Sequence, residues 1–276
     1  AGPQLSLGEL RDALGLPPGT GRPAPGIYLF RDALLTGGIY VEGDLASLVL
    51  RGEGHRQLLF LEPVSGGGVL EICVDHLQQT TAVDGVVHPG LLHGPLFVEG
   101  AIAAMDTGAV AGGPVPAVLA PGVGFTVAAS GDIAVQGHLV YTASHLPLPD
   151  PRLTPPPDGQ MLGICSFGLR ADGSPAGGGG IFFEGSGGRL RIDAALSVGG
   201  DDRGVRSIDG TSADIFGALS VDGLVQPGLF SFCSVTYDRR FSDPGCAPPH
   251  WPAGPVFEAY LSSWNLLRLE EPDLYQ

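Results

Sequence analysis

The acidic side chains best placed to carry out a reaction lie in the last third of the sequence. Adjacent carboxylates occur at Asp201 and Asp202, and two more follow at Asp209 and Asp214. Paired carboxylates act as acid and base in glycoside hydrolysis, which makes a polysaccharide-active β-solenoid enzyme one alternative. The Gly-rich setting of Asp201 and Asp202 is more typical of a solvated turn or of calcium ligands. We therefore favour a non-enzymatic protein.

The seven histidines are scattered along the chain and form no metal-binding motif. No H-E-x-x-H pair is present, and no G-x-S-x-G elbow offers a serine nucleophile. The glycine run 177–180 lacks the following Lys and Ser or Thr of a phosphate-binding loop, so it indicates a hairpin loop. We expect no catalytic residue, no metal and no cofactor.

The arginines are the side chains best suited to an anionic partner, because guanidinium groups contact phosphates and nearby aromatic rings can stack on bases. The candidate DNA-binding residues are Arg189, Arg191, Arg203, Arg206, Tyr237, Arg239, Arg240 and Trp251. Two features weaken this interpretation. Arg189 and Arg191 alternate as exposed strand residues do, and nearby aspartates can neutralise the group. Residues 237–240 are also interpreted as a structural latch on the last coil.

The four cysteines lack the C-x-x-C spacing of a zinc site. Cys233 and Cys246 flank a loop rich in Pro and Gly, which a disulfide between them would close. Separately buried thiols are the alternative for these residues, as they are for Cys73 and Cys165.

The overall composition limits both the partner and the fold. The formal net charge of −15 argues against a general polyanion-binding protein, so any DNA contact requires a local Arg patch. The 45 Gly and 25 Pro residues stand beside 43% hydrophobic residues, a combination that predicts many tight turns between short buried strands. No run of eighteen apolar residues occurs, so we expect no membrane contact by this chain itself.

The elements that must position these side chains are predicted to be almost wholly β. A recurrent phrase supports this, with an aromatic or aliphatic residue, Val, a polar residue, Gly, a small or polar residue and an aliphatic residue in that order. It occurs as YVEGDL (40–45), FVEGAI (97–102), VQGHL (135–139) and VDGLV (221–225). The alternation places Val41 and Leu45 on either side of a Gly bend, with the acid between them facing water. Each copy is interpreted as one corner of a coil.

The uneven spacing of the copies predicts stacked irregular coils with inserted loops, an all-β β-solenoid. A Greek-key β-sandwich is the alternative. We assign residues 1–36 to an N-terminal cap segment with a short helix at 5–16, residues 37–256 to the solenoid, and residues 257–276 to a C-terminal helix and tail. Strands are predicted at 58–61, 69–74, 125–128, 133–135, 139–141, 181–183, 190–192 and 229–235. Loops are predicted at 147–157, 172–180 and 238–255.

Three stretches in this order resemble a family of Gly-rich domains in secreted, pilin-like proteins of the Deinococcus and Thermus group. They are GIYVEGD (38–44), FTVAASGDI (125–133) running into VQGHLVY (135–141), and YDRR (237–240) followed by PPHWP (248–252). The resemblance covers about residues 37–264. The hydrophobic pilin helix of such proteins is missing from the sequence, so we expect a displayed domain without its anchor.

The resemblance implies an extracellular position on the cell surface or on a type IV pilus, with other pilins or a pilin module as partners. By analogy with a competence-associated pilin of this group, it also implies DNA capture during natural transformation. A structural or adhesive domain that binds protein or glycan is the alternative that fits the acidic charge better.

Overall fold

The computed structural model describes residues 24–29, 38–92, 94–148, 159–168, 176, 178–185, 188–199, 204–221, 233–238, 240, 248–249 and 251. The predicted helices at 5–16 and 257–269 lie outside these ranges, as do nearly all of the fourth phrase copy and most of the predicted loops. The assignment of residues 1–36 and 257–276 to terminal segments therefore stays a prediction.

The described chain is all-β and contains no α-helix. Its strands are β1 (Gly26–Leu29), β2 (Ile39–Glu42), β3 (Leu45–Glu53), β4 (Arg56–Pro63), β5 (Leu70–Asp75), β6 (Thr80–Val83), β7 (Val86–Pro89), β8 (Leu96–Glu99), β9 (Ile102–Asp106), β10 (Gly124–Ala129), β11 (Ile133–Val135), β12 (Met161–Ser166), β13 (Ile181–Phe183), β14 (Arg189–Val198), β15 (Val205–Ser207), β16 (Ser212–Val221) and β17 (Cys233–Tyr237).

The strands form two mixed sheets. Sheet A has the order β1-β2-β8-β10-β12-β14-β16-β17, and all its pairs are parallel except β1 with β2. Sheet B has the order β15-β13-β11-β9-β3-β4-β5-β6-β7. Its first five strands are parallel and its last five are joined by antiparallel hairpins. Neither sheet closes into a barrel.

The chain passes repeatedly from sheet A to sheet B, so that equivalent residues of successive passes lie side by side. One buried row crosses sheet A through Ile39, Leu96, Val127, Ile164 and Leu196. The matching row of sheet B contains Leu45, Ile102, Ile133, Ile181 and Val205. Both rows belong to one hydrophobic core. Each such buried aliphatic side chain contributes roughly 1.5–3 kcal/mol by leaving water.

The first two phrase copies form corresponding corners between the sheets. Tyr40 pairs with Phe97, and the Asp44 carboxylate accepts a hydrogen bond from the Ala101 N–H of the next pass at 2.8 Å. A Cβ on Gly100 would lie 2.4 Å from that carboxylate, so only glycine fits there. The expectation that the acids of these copies face water is wrong. Glu42 and Glu99 are buried side by side on neighbouring strands, and the Tyr40 hydroxyl donates to the Glu42 carboxylate at 2.6 Å.

The third phrase copy occupies a different corner, after a strand of sheet B rather than before one. It leads into residues 139–141, which were predicted as a strand and instead make isolated bridges. Val140 bridges Ala117, which in turn bridges Gly52 of β3, and Leu139 bridges Ile192 of β14. A short third strip of backbone pairing therefore links the end of β3 to the first half of β14.

Sheet B continues past β3 through the antiparallel strands β4–β7, a unit that we call the extension. Its inner face joins the core through Leu59, Leu61, Ile72 and Val74. The predicted strands at 58–61 and 69–74 belong to this unit, as β4 and β5. Sheet A, by comparison, continues only by β1 beyond β2 in the described ranges.

One buried amide fixes the extension to the rest of the fold. The Gln57 amide group donates to the Val118 carbonyl at 3.1 Å, and its oxygen accepts from the Ala120 N–H at 2.9 Å. Gly52 lies directly alongside, where a Cβ would come within 2.3 Å of the Leu119 backbone. The chain between β9 and β10 is thus held against β3 and β4 by a polar contact and a close backbone approach.

Replacing Gln57 with Leu is expected to lower the free energy of unfolding by about 2–4 kcal/mol, because the Val118 carbonyl and the Ala120 N–H stay buried and lose their partner. The exposed Gln78→Leu is the control, for which we expect a change of less than about 0.5 kcal/mol. Urea denaturation followed by circular dichroism measures both. Equal stability of the two variants would show that Gln57 does not fix the extension.

Candidate interaction surfaces

Two of the candidate DNA-binding arginines lie on the outer face of β14. Arg189 makes two hydrogen bonds to the Asp214 carboxylate of the neighbouring β16, at 2.5 and 2.8 Å. Asp214 also accepts from the Ser234 hydroxyl at 2.6 Å. Burial opposes ionisation of Asp214, but the bonds from Arg189 and Ser234 outweigh it and hold the pKa of the carboxyl below its usual value. The aspartate that neutralises Arg189 is thus Asp214, which is not among the residues expected to do so, Asp193, Asp201, Asp202 and Asp209.

Arg191 forms an ion pair that is more deeply buried than the pair of Arg189 with Asp214. Its guanidinium group lies 2.7 Å from the carboxylate of Asp193, and the side chain of Asp193 is only 2% exposed. The same carboxylate accepts from the Tyr141 N–H at 3.0 Å. Burial raises the pKa of Asp193, whereas Arg191 and the Tyr141 N–H oppose that shift. Arg191 thus serves mainly to compensate a buried charge.

The group of four arginines does not form one surface in the described ranges. Arg206 lies on β15 at the far edge of sheet B, with its guanidinium carbon 4.6 Å from the centre of the Phe182 ring. Arg189 and Arg191 belong to sheet A. Arg203 lies outside the described residues. The sequence spacing brings these residues close along the chain, but the chain changes sheets between β14 and β15.

Tyr237 and Trp251 pack against the outer face of sheet A. Both contact a small cluster of Met161, Ala195 and Ala218. Burial raises the pKa of Tyr237. Both rings are only partly buried, so these contacts fix their positions on the sheet and leave part of each ring exposed.

Glycines in sheet A make room for the segment that carries Trp251. A Cβ on Gly163 would lie 2.7 Å from the Trp251 ring, and one on Gly124 would lie 2.6 Å from Pro249. The Thr126 hydroxyl donates to the Pro249 carbonyl. The segment at 248–251 is therefore seated on the sheet by steric fit and a hydrogen bond.

The contacts of residues 237–240 support the interpretation as a latch. The Asp238 N–H donates to the Gly217 carbonyl at 2.9 Å, and the Arg240 guanidinium contacts the Asp238 carboxylate at 2.6 Å. Arg240 also donates to the Gln160 carbonyl at 3.0 Å and lies 5.3 Å from the centre of the Tyr141 ring. Arg239 lies outside the described residues.

The acidic candidates for catalysis have structural partners where the chain is described. Asp209 accepts bonds from the N–H and hydroxyl of Thr211, and Asp214 binds Arg189 and Ser234. Asp201 and Asp202 lie outside the described ranges. Among the residues that are described, no group of three or more His, Cys, Asp or Glu side chains is placed to hold a metal ion.

The predicted disulfide cannot be placed, since Cys246 and the side chain of Cys233 lie outside the described part of the chain. Cys73 and Cys165 are free thiols. Burial raises the pKa of both, and Cys165 is fully enclosed on the outer face of sheet A.

A surface that the sequence interpretation missed lies at one end of the extension. The turn between β4 and β5 and the turn between β6 and β7 meet there, joined by Glu71 and Asp84. The Asp84 N–H donates to the Glu71 carbonyl at 2.9 Å, and the Glu71 N–H donates to the Asp84 carboxylate at 3.0 Å. We call residues 62–71 and 82–87 together the tip. The Asp-Gly pair at 84–85, between β-rich segments, is the hairpin signal that predicts it.

The tip combines exposed aliphatic side chains with negative charge. Its exposed valines are Val64 (61%), Val69 (52%), Val86 (60%) and Val87 (65%). Its charged residues are Glu62, Glu71 and Asp84, and it contains no Arg, Lys or His. These side chains lie in or beside two turns at the same end of the extension, and because Val86 and Val87 are adjacent in β7 they point to opposite faces, so the tip exposes apolar groups on both faces.

No protein-family model, no curated protein and no solved structure matches this chain. No helix of the described residues is long and apolar enough to cross a membrane.

Replacing Arg191 with Ala is expected to lower the free energy of unfolding by about 3–5 kcal/mol at neutral pH, because Asp193 stays buried without its cation. Arg189→Ala is the matched control on the same strand. Its side chain is 63% exposed, so we expect a loss of less than about 1 kcal/mol. Denaturant titration measures both values.

The loss in the free energy of unfolding caused by Arg191→Ala should become smaller as the pH falls. Burial raises the pKa of Asp193 above its unfolded value, so the folded state takes up a proton first as the solution is acidified. A protonated Asp193 needs no cation, and the double variant Arg191→Ala/Asp193→Asn should regain stability at neutral pH for the same reason. Equal losses for Arg189→Ala and Arg191→Ala would contradict this account.

Proposed function

We propose that this chain is a non-enzymatic display domain in which a β-solenoid carries the extension and presents it to a protein partner. The observation that carries the proposal is the unequal length of the sheets. Sheet B runs four strands beyond β3, whereas sheet A runs one strand beyond β2 where the chain is described. The additional strands end in the acidic, apolar tip.

The pairing pattern supports a solenoid over a Greek-key sandwich. Successive passes through sheet A lie parallel and in register, whereas a Greek-key sandwich is built from antiparallel strands. A third strip of bridges, Gly52 with Ala117, Ala117 with Val140 and Leu139 with Ile192, adds backbone pairing on a further side of the stack. The irregular spacing of the phrase copies fits passes joined by loops of uneven length.

The charge distribution favours a protein partner over DNA. Five of the six described arginines lie within 3.1 Å of a carboxylate oxygen, namely Arg51, Arg56, Arg189, Arg191 and Arg240. A guanidinium group that already binds a carboxylate releases little free energy when it contacts a phosphate, because it must exchange one anion for another. An acidic exterior further disfavours approach of a polyanion.

A position on the cell surface or on a type IV pilus, with pilins as partners, follows from the resemblance to pilin-like domains and forms part of the proposal. DNA capture is the competing function. DNA capture requires arginines that can contact phosphate, and three of the candidates already form ion pairs: Arg189 with Asp214, Arg191 with Asp193 and Arg240 with Asp238.

Fluorescence anisotropy of a labelled DNA duplex tests the choice between the two. We expect the wild-type chain to give no anisotropy rise at low salt up to about 100 μM protein, the weak end of non-specific DNA binding. Asp214→Asn should increase any residual binding, because it removes the anion that neutralises Arg189. Arg189→Ala in the Asp214→Asn background is the control and should remove that increase.

Tight binding by the wild-type chain that weakens steeply with salt and is lost in an Arg189→Ala/Arg206→Ala variant would overturn the display proposal. That result would assign DNA capture to this chain.

A further inference from the structure

We propose that the tip binds a protein segment in which aliphatic side chains alternate with Arg or Lys. This inference rests on the proposed display function and names the chemistry of its partner. Four valines that are more than half exposed, Val64, Val69, Val86 and Val87, supply apolar side chains, and Glu62, Glu71 and Asp84 in the same turns and strand ends supply negative charge.

For the described part of the chain, charge argues against two other occupants of the tip. A second copy docking tip to tip would bring the three acids of each copy together without a cation, and like charges at close range are destabilising. Five of the six described arginines already contact a carboxylate of their own chain. The acids of a tip that docked against these arginines in another copy would have to displace those carboxylates. A basic segment of a different protein meets neither obstacle.

The open edge of β7 is poorly suited to pairing with a further strand, so we expect the partner to contact the side chains of the tip. Val83 and Val86 flank a two-residue turn, and the Gly90 N–H donates to the Gln79 carbonyl at 2.8 Å. This pattern turns the backbone groups of Val87 and Pro89 toward the open edge. Proline has no N–H, so Val87 alone offers a donor there, and an incoming strand would find little to pair with.

The extension holds the tip in a defined shape before any partner arrives. Its inner face is part of the main core, and Gln57 ties it to the chain before β10. The paired bonds between Glu71 and Asp84 join the two turns. A surface that is already ordered loses less conformational entropy on binding, so a short basic segment suffices as a ligand.

A binding assay with defined peptides tests the inference. The probe is a short fluorescent peptide in which Arg alternates with Val, and its anisotropy is measured against the intact chain. The control peptides alternate Arg with Ser and Glu with Val. We expect the Arg-Val peptide to bind at least about tenfold more tightly than either control, because only it satisfies both charge and apolar contact.

Two tip variants locate the site. Glu62→Gln/Glu71→Gln removes two charges, and Val64→Ser/Val69→Ser removes two exposed apolar side chains in the turn after β4. Each double substitution should weaken binding of the Arg-Val peptide by at least about tenfold. The matched controls are Glu53→Gln/Glu184→Gln and Val110→Ser/Ile208→Ser, which make the same changes away from the tip and should leave the affinity unchanged.

The outcomes separate this inference from the display proposal. Equal binding of the Arg-Val and Arg-Ser peptides, or equal losses in the tip and control variants, would overturn the tip inference and show only general attraction to an acidic protein. The display proposal itself depends on the DNA measurement. Absence of both DNA and peptide binding would therefore leave display intact and remove the tip as its binding surface.

Discussion

The fold depends on parallel, in-register stacking, which requires each inward position to be filled by a similar side chain in every pass. Ile39, Leu96, Val127, Ile164 and Leu196 form one such row and are buried throughout. A polar residue in that row would lie between two apolar neighbours without access to water. The same constraint applies at the corners, where Gly100 lies so close to Asp44 that no side chain fits. The interior therefore tolerates few changes, while loops outside the stack vary freely in length.

Two of the described arginines form ion pairs with buried carboxylates, whose burial would otherwise lower the free energy of unfolding. This pairing helps to make the acidic composition compatible with the fold. Arg191 compensates the buried Asp193, and Arg240 compensates Asp238, which is also buried. Removing water from a carboxylate costs several kcal/mol unless a cation or several donors replace it. Of the six arginines that the structure describes, five contact a carboxylate, so the exposed acids, including those at the tip, dominate the described surface.

Much of the architecture is predictable from local patterns, because alternation and Gly-containing bends act over a few residues. The phrases at 40–45 and 97–102 predict matching corners, and the strands at 125–128, 133–135 and 181–183 lie within strands of the structure. Contacts distant along the chain are not predictable in this way. Nothing local to Glu42 indicates that it is buried, and the spacing of Arg189 and Arg206 conceals the change of sheet between them. The tip was missed because the Asp84-Gly85 turn was not interpreted as a hairpin.

The position of the extension explains how the stack can carry exposed apolar side chains without losing stability. Leu59, Leu61 and Ile72 on its inner face belong to the same core as the stacked rows, so the extension is supported by the stack. Its exposed valines lie beyond that core, in turns whose side chains no neighbouring pass must match. Substitutions at the tip are therefore expected to have little effect on folding. Substitutions in the stacked rows change folding and leave the chemistry of the tip as it is.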